Sequence, residues 1–270
     1  MTNAFPAGEW PAVTDAQWAA AQSRLTDERG RVAALSLFAR RVSHDMSNFA
    51  TVVRTYSELL LSDLPSASAT HADVLEIHRA ADAMVDYMAR IVRFARNANT
   101  PLSTVVLDDV LREAVDESRA TCVVTLALES RALVRIEATW LLDAMREVLA
   151  NAREASPGDG GVVIRSSLVT LANRSVDCGM PIEAGVWAII ECADDGAGFS
   201  DEVGRRALDP FVTTKAGVRG AGFGLAIARS AMWGAGGHVA VVTPHETMHT
   251  TSTRDENIRL WLPIAVTARP

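Results

Sequence analysis

The sequence predicts an α+β chain: two long helices folded into an antiparallel hairpin that dimerises as a four-helix bundle, then a layered domain with helices on one face of a sheet. Three observations carry this expectation. Residues 31–63 contain neither Pro nor Gly and repeat apolar residues every seven positions, the mark of one long amphipathic helix. A second helical pattern starts just after Pro65 and the small polar run Ser66–Thr70. Beyond residue 103 the long helical period gives way to short strand-like runs, shorter helices and Gly-rich turns, the order of an α+β layer.

Each element has its grounds in its own residues. Residues 1–27 hold two early prolines and two tryptophans, then a short helix opened by Thr14-Asp15 as a cap; they form an N-terminal extension too short for a domain. The first long helix, Arg31 to Asp63, has the rows Leu35, Val42, Phe49, Tyr56 and Ala39, Met46, Val53, Leu60, with Phe38, Val52 and Leu59 beside them. At 1.5 Å per residue it spans about 50 Å. The second, about His71 to Arg96, has the rows Val74, Ala81, Met88, Ala95 and Ile77, Met84, Ile91. A hairpin of this kind carries more apolar stripe than one antiparallel neighbour covers, and a homodimer is the expected remedy. Residues 28–98 therefore form the dimerisation unit, and 97–103, with Pro101, the linker.

Residues 103–267 form the second unit. It reads as a helix over Asp108–Glu117, strands over Cys122–Glu129 and Val134–Ile136, a helix from about Thr139 to Ala155, and a strand over Val162–Val169. A turn-rich loop, Leu171–Gly185, is longer than a tight hairpin needs and leads to a strand over Val186–Cys192. A Gly-rich region, a helix over Leu225–Trp233 and strands over His238–Val242 and Ile258–Pro263 close the chain.

Composition excludes several classes. With 270 residues, 26 Lys+Arg against 33 Asp+Glu and a net charge of −7, the chain has no global nucleic-acid footprint. No apolar run approaches the ~18–20 residues of a membrane-spanning helix, and Met1–Trp10 has neither a basic start nor an apolar signal core. The expected location is cytoplasmic. Three cysteines with no CxxC pair argue against a disulfide scaffold or a thiolate zinc site.

The chemistry gathers around glycines. Asp194-Asp195-Gly196-Ala197-Gly198 comes directly after a strand, and Gly220-Ala221-Gly222-Phe223-Gly224-Leu225 opens a helix. Glycines let backbone approach a ligand, and amides at a helix N-terminus favour phosphate, so the pair points to a nucleotide site. The spacing is neither the dinucleotide fingerprint nor the P-loop. Glu147 and Asn151 stand four apart on a helix, so both oxygens project from one face, a geometry suited to magnesium beside phosphates.

At these residues the chain resembles the histidine kinases of two-component signalling, within the GHKL superfamily that also holds gyrase and the heat-shock chaperones. The resemblance covers about residues 30–265 and implies a Bergerat-type α/β-sandwich ATP-binding domain behind the bundle. Asn151 matches the asparagine that ligates magnesium, and Asp194 with Gly196 and Gly198 the box whose aspartate receives the adenine amino group. Pro210-Phe211-Val212-Thr213-Thr214-Lys215 is similar to the lid box within a lid spanning Phe199–Arg219, and Gly220, Gly222 and Gly224 to the second glycine box. Lys215 is thereby expected to steady phosphate charge. Ser43-His44-Asp45-Met46-Ser47-Asn48 resembles the phosphoacceptor box, with His44 the acceptor, Asp45 the assisting base and Asn48 the residue that marks kinases able to dephosphorylate their partner. The resemblance implies an ATP- and Mg2+-dependent autokinase that passes its phosphoryl group to an aspartate of a response-regulator receiver domain. Input is expected through an upstream sensor protein or the short N-terminal helix.

One residue departs from the pattern. Position 147 is Glu where most such kinases have Asn, and in the gyrase-like branch a glutamate there activates water. Two readings stay open: a further magnesium or phosphate ligand, or the base of a GHKL ATPase or serine kinase. A non-catalytic dimeric phosphotransfer scaffold is the remaining alternative. His245-Glu246-Thr247-Met248-His249 spells a zinc-protease string but is expected in a hairpin loop, where the two histidines do not share a helical face. His71 and His78 fall in a flanking row of the second helix, where packing is the expected role.

Overall fold

The first helix begins where a capping box closes it. Thr14 Oγ1 accepts from the Gln17 amide at 3.3 Å while the Gln17 side chain accepts from the Thr14 amide at 2.9 Å. From there α1 (Asp15–Asp63) runs as one continuous helix, so the separate short N-terminal helix expected from the sequence does not exist. A single Gly30 costs a helix about 1 kcal/mol, and the packing of Trp18 and Ala21, both buried, offsets it. Leu64 ends the helix in an extended conformation, as the residue before Pro65 must. Ser68 caps α2 (Ala69–Phe94) through the His71 amide at 3.1 Å. The computed structural model describes residues 10, 12–95, 100–118, 123–129, 131–156, 160–213, 222–243 and 256–265.

On α2 the hairpin seam is the expected row, with Val74, Ala81 and Met88 buried, but on α1 it is not the expected stripe: the buried positions there are the small Ser43, Ala50 and Ser57 at seven-residue spacing. Ser57 Oγ and His78 Nδ1 lie 3.0 Å apart across the seam. Small residues let the helices approach closely and turn the bulky rows outward. Phe38, Phe49, Tyr56 and Leu59 remain 67%, 63%, 65% and 56% exposed.

The second unit is built on a five-stranded sheet. Its elements are β1 (Thr104–Val106), α3 (Leu107–Ser118), β2 (Val124–Leu128), β3 (Leu133–Arg135), α4 (Ala138–Ala155), β4 (Val162–Leu171), β5 (Ser175–Asp177), β6 (Met180–Ile182), β7 (Gly185–Asp194), α5 (Asp201–Gly204), α6 (Gly224–Gly234), β8 (His238–Val241) and β9 (Glu256–Pro263). Strand order is β2-β4-β7-β9-β8, parallel between β2 and β4 and antiparallel elsewhere. β1 pairs with β3, and β5 with β6, as two small ribbons. The core lies between α3, α4, α6 and one sheet face: Leu111, Leu141, Met145 and Met232 meet Ile164, Ile190 and Leu260, all fully buried. The long loop expected at 171–185 is the β5–β6 ribbon, and Leu171, Ile182, Trp187, Ile189 and Trp261 form a smaller cluster there with Trp10. Beneath it Asp177 accepts from Arg259 Nη1 at 2.8 Å and Trp261 Nε1 at 2.7 Å.

Hairpin and sheet domain are joined at both ends of the interface. Phe94 and Ala95 at the end of α2 are buried with Phe223, Ala226 and Ile227, and Ser230 Oγ donates to the Phe94 carbonyl at 2.8 Å. Near the start of α1, Asp15 pairs with Arg174, whose guanidinium lies over the Trp18 ring. Farther along, Glu28 lies 3.8 Å from Arg229.

Candidate functional site

Helix α4 begins at Glu137, whose carboxylate caps the Trp140 amide at 3.1 Å. It buries Leu141, Met145, Val148 and Leu149 and turns Glu147 and Asn151 toward a cavity of about 380 Å³. The i, i+4 spacing thus brings carboxylate and amide to one wall, as the sequence predicts. Phe199, Val203 and Ala207 contribute apolar lining, and Thr213, Gly222 and Gly224, the last at the start of α6, line it too. Leu225 lines the cavity and is also anchored in the main core.

The glycines have distinct reasons. Gly222 adopts φ +69°, and a Cβ there would lie 2.5 Å from the Phe211 carbonyl carbon and 2.7 Å from the Val212 nitrogen. Phe211, itself at φ +68°, donates its amide to the Gly222 carbonyl at 2.9 Å and sets its ring edge-on against Phe223 at 4.8 Å. The two ends of the expected glycine-box and lid segment are therefore braced together. At Gly224 a Cβ would lie 3.0 Å from Glu147 Oε2; its absence leaves room for the carboxylate at the first turn of α6.

Asp194 ends β7 almost fully buried, and its Oδ1 accepts from the Gly196 amide at 2.8 Å. Gly196 is pressed against Ala155, one turn along α4 from Asn151, and Gly198 has φ +68°. These three residues sit past the α4 end of the site and are not among the residues lining the 380 Å³ cavity. Thr214, Lys215 and Gly220, like Cys122 and the His245–His249 string, lie outside the described residues.

His44, Asp45 and Asn48 stand apart from the cavity, on α1. The His44 side chain is 76% exposed, and its Nδ1 is 3.1 Å from Asp45 Oδ1. Asn48, also exposed, comes one helical turn later. Among the described residues no group of three or more His, Cys, Asp or Glu is arranged to hold a metal, and no helix is long and apolar enough to cross a membrane.

The sequence missed the hairpin's share in the cavity. Arg90 and Arg93 of α2 line it, and Arg90 Nη2 donates to Glu147 Oε2 at 2.9 Å, with both side chains largely buried. A helical pattern marks which face an arginine occupies. It carries no signal for a partner 57 residues away.

Comparison with known proteins agrees with this geometry. Residues 136–266 match the family of histidine kinase-, DNA gyrase B-, and HSP90-like ATPases. The chain is 22% identical over 224 residues to the sensor kinase CckA of Brucella abortus (strain 2308), covering 77% of this chain and 23% of that protein. It is 23% identical over 221 residues to the C4-dicarboxylate transport sensor protein DctB of Pseudomonas aeruginosa, covering 78% and 34% respectively. The full-length crystal structure of ShkA in complex with AMPPNP superposes with a TM-score of 0.62 at 20% identity, covering 86% of this chain and 46% of that one. The chain thus spans only a minority of each of these proteins. Residues 136–266 thus form an ATPase domain of the histidine kinase-, DNA gyrase B-, and HSP90-like type, carried behind a helical hairpin, and the chain is similar over most of its length to sensor histidine kinases.

Proposed function

We propose that the protein is an ATP-dependent histidine autokinase in which His44 takes the γ-phosphoryl group and passes it to an aspartate of a response-regulator receiver domain. The carrying observation is the His44–Asp45 pair on an exposed helical face. With Nδ1–H donated to Asp45, the lone pair resides on Nε2, which is free to attack phosphorus. Asp45 then stabilises the positive charge that develops on the ring. The bond between phosphorus and the β,γ-bridging oxygen breaks as the Nε2–phosphorus bond forms, and ADP leaves.

Asn151 and Glu147 suit Mg2+ by the chemistry of their oxygens and by the space that Gly224 leaves beside the carboxylate. When bound, the ion neutralises phosphate charge. Phe199, Val203 and Ala207 give the cavity apolar lining beside these polar groups. Because His44 does not line the cavity, transfer requires the ATPase domain to approach the His44 of its own or a partner's hairpin. Homodimerisation is supported by the outward row of Phe38, Phe49, Tyr56 and Leu59. Cys178 and Cys192 are both thiols, which accords with a cytoplasmic setting.

Asn48, exposed one turn from His44, supports an added role in orienting water for dephosphorylation of the regulator. Incubation with γ-labelled ATP tests the proposal. Label on wild type and on Asn48→Ala, but none on His44→Ala, is expected; equal labelling of His44→Ala removes His44 as acceptor. Phosphate release abolished by Glu147→Asn, with no phosphohistidine on wild type, would establish the hydrolase instead.

A further inference from the structure

We infer that Arg90 is a phosphate-binding residue of the nucleotide site, contributed by the hairpin and held by Glu147 until a nucleoside triphosphate enters. The inference rests on the ATP-site reading under Proposed function and adds to it a residue from outside the ATPase domain.

Among the described residues three guanidiniums line the cavity. Arg146 is committed outward, with Nε and Nη2 each 2.7 Å from Glu117 and Nη1 3.3 Å from Asp143. Arg93 makes interactions of its own. Arg90 lies at the end that matters for phosphate: its Nη2 is within 3.9 Å of where a Cβ of Gly224, the first residue of α6, would stand. Its Nη2 holds Glu147, while its Nε is buried and has no hydrogen-bond partner among the described residues.

A triphosphate cannot enter beside a free carboxylate without repulsion, and the Arg90–Glu147 pair cancels that charge in the empty site. Entry of a magnesium triphosphate offers each member a stronger partner. Phosphate oxygens accept from the guanidinium, using the orphaned Nε as well, and the divalent cation takes the carboxylate oxygen. Bound nucleotide then bridges α2 and α6, so occupancy of the site and docking of the hairpin become one equilibrium.

The test is a calorimetric titration of the full chain with a non-hydrolysable magnesium triphosphate analogue and, separately, with adenosine. Arg90→Met is expected to weaken triphosphate binding about 10- to 100-fold, the range for hydrogen bonds to charged groups, and to leave adenosine binding unchanged. A second pair of titrations without divalent cation uses Glu147→Gln, which frees Arg90 and is expected to tighten the triphosphate. That gain should vanish in Arg90→Met/Glu147→Gln. The inference is overturned by equal triphosphate affinity in wild type and Arg90→Met, by equal losses for adenosine and triphosphate, or by a gain from Glu147→Gln that survives without Arg90. No nucleotide binding by wild type would instead overturn the ATP-site reading on which the inference stands.

Discussion

Replacing Gly222 by alanine adds one methyl group where the backbone leaves no space for it. At φ +69° an L-residue pays about 1–2 kcal/mol, and the new Cβ would sit 2.5–2.8 Å from three backbone atoms of Phe211 and Val212. Those atoms cannot rotate away as a side chain would. Relief requires breaking the 2.9 Å bond from the Phe211 amide to the Gly222 carbonyl, worth about 1 kcal/mol. The whole penalty, roughly 2–3 kcal/mol, corresponds to a roughly 30- to 140-fold loss of affinity if nucleotide needs the brace closed. It falls on local opening and not on the core, so the unliganded protein should melt close to wild type while its titration with a triphosphate analogue weakens. Gly30→Ala is the contrast: nothing lies within 4 Å of its Cβ position in α1, and alanine should stabilise the helix by about 1 kcal/mol. Wild-type nucleotide affinity in Gly222→Ala would show that the brace does not govern binding.

The buried polar groups give two further expected outcomes. Asp177→Asn keeps shape but presents an amide donor to Arg259 or Trp261, which both donate to Asp177; with Glu191, 3.3 Å from Arg259 Nε, as the arginine's remaining carboxylate, the change should cost about 1–3 kcal/mol in chemical denaturation, and a loss below about 0.5 kcal/mol would contradict it. His238, 6% exposed, has its pKa pushed down to about 4 by burial, reinforced by Arg29 and partly offset by Asp177. The unfolded chain binds that proton near pH 6.5 and the folded one does not. Its contribution is therefore intact above about pH 6.5 and is lost toward pH 4, by about 3 kcal/mol in all. A stability profile of His238→Phe lacking that slope would confirm the source, and one parallel to wild type would exclude it.

Legibility in the sequence depended on the distance between partners along the chain. Thr14 as a cap, Glu147 with Asn151 on one wall, and the glycines were legible because turns and helix faces are set within four residues. The α1 side of the hairpin seam was not, although the α2 row Val74, Ala81 and Met88 was. Ser43, Ala50 and Ser57 repeat every seven residues as faithfully as Phe49 and Tyr56, but hydrophobicity drew attention to the larger rows, which face outward. Arg259 with Asp177, 82 residues apart, and Arg90 with Glu147, 57 apart, have no period at all. Such pairs are created by the sheet order and by hairpin docking, and each consists of residues that taken singly read as ordinary surface charge.

Helix α1 is a rod of 49 residues, about 73 Å at the standard rise, and the ATPase domain grips it well ahead of His44. Glu28 on the rod and Asp209, just beyond α5, share one buried guanidinium, Arg229, at 3.8 and 3.5 Å. Rotating the rod by one residue step, about 100°, would carry Glu28 off that guanidinium and leave Asp209 as its remaining counter-charge. Rod and domain are thus geared together like a toothed shaft and wheel: torque applied upstream meets the Arg229 tooth, and through it Asp209 of the expected lid segment, before it reaches the phosphoacceptor.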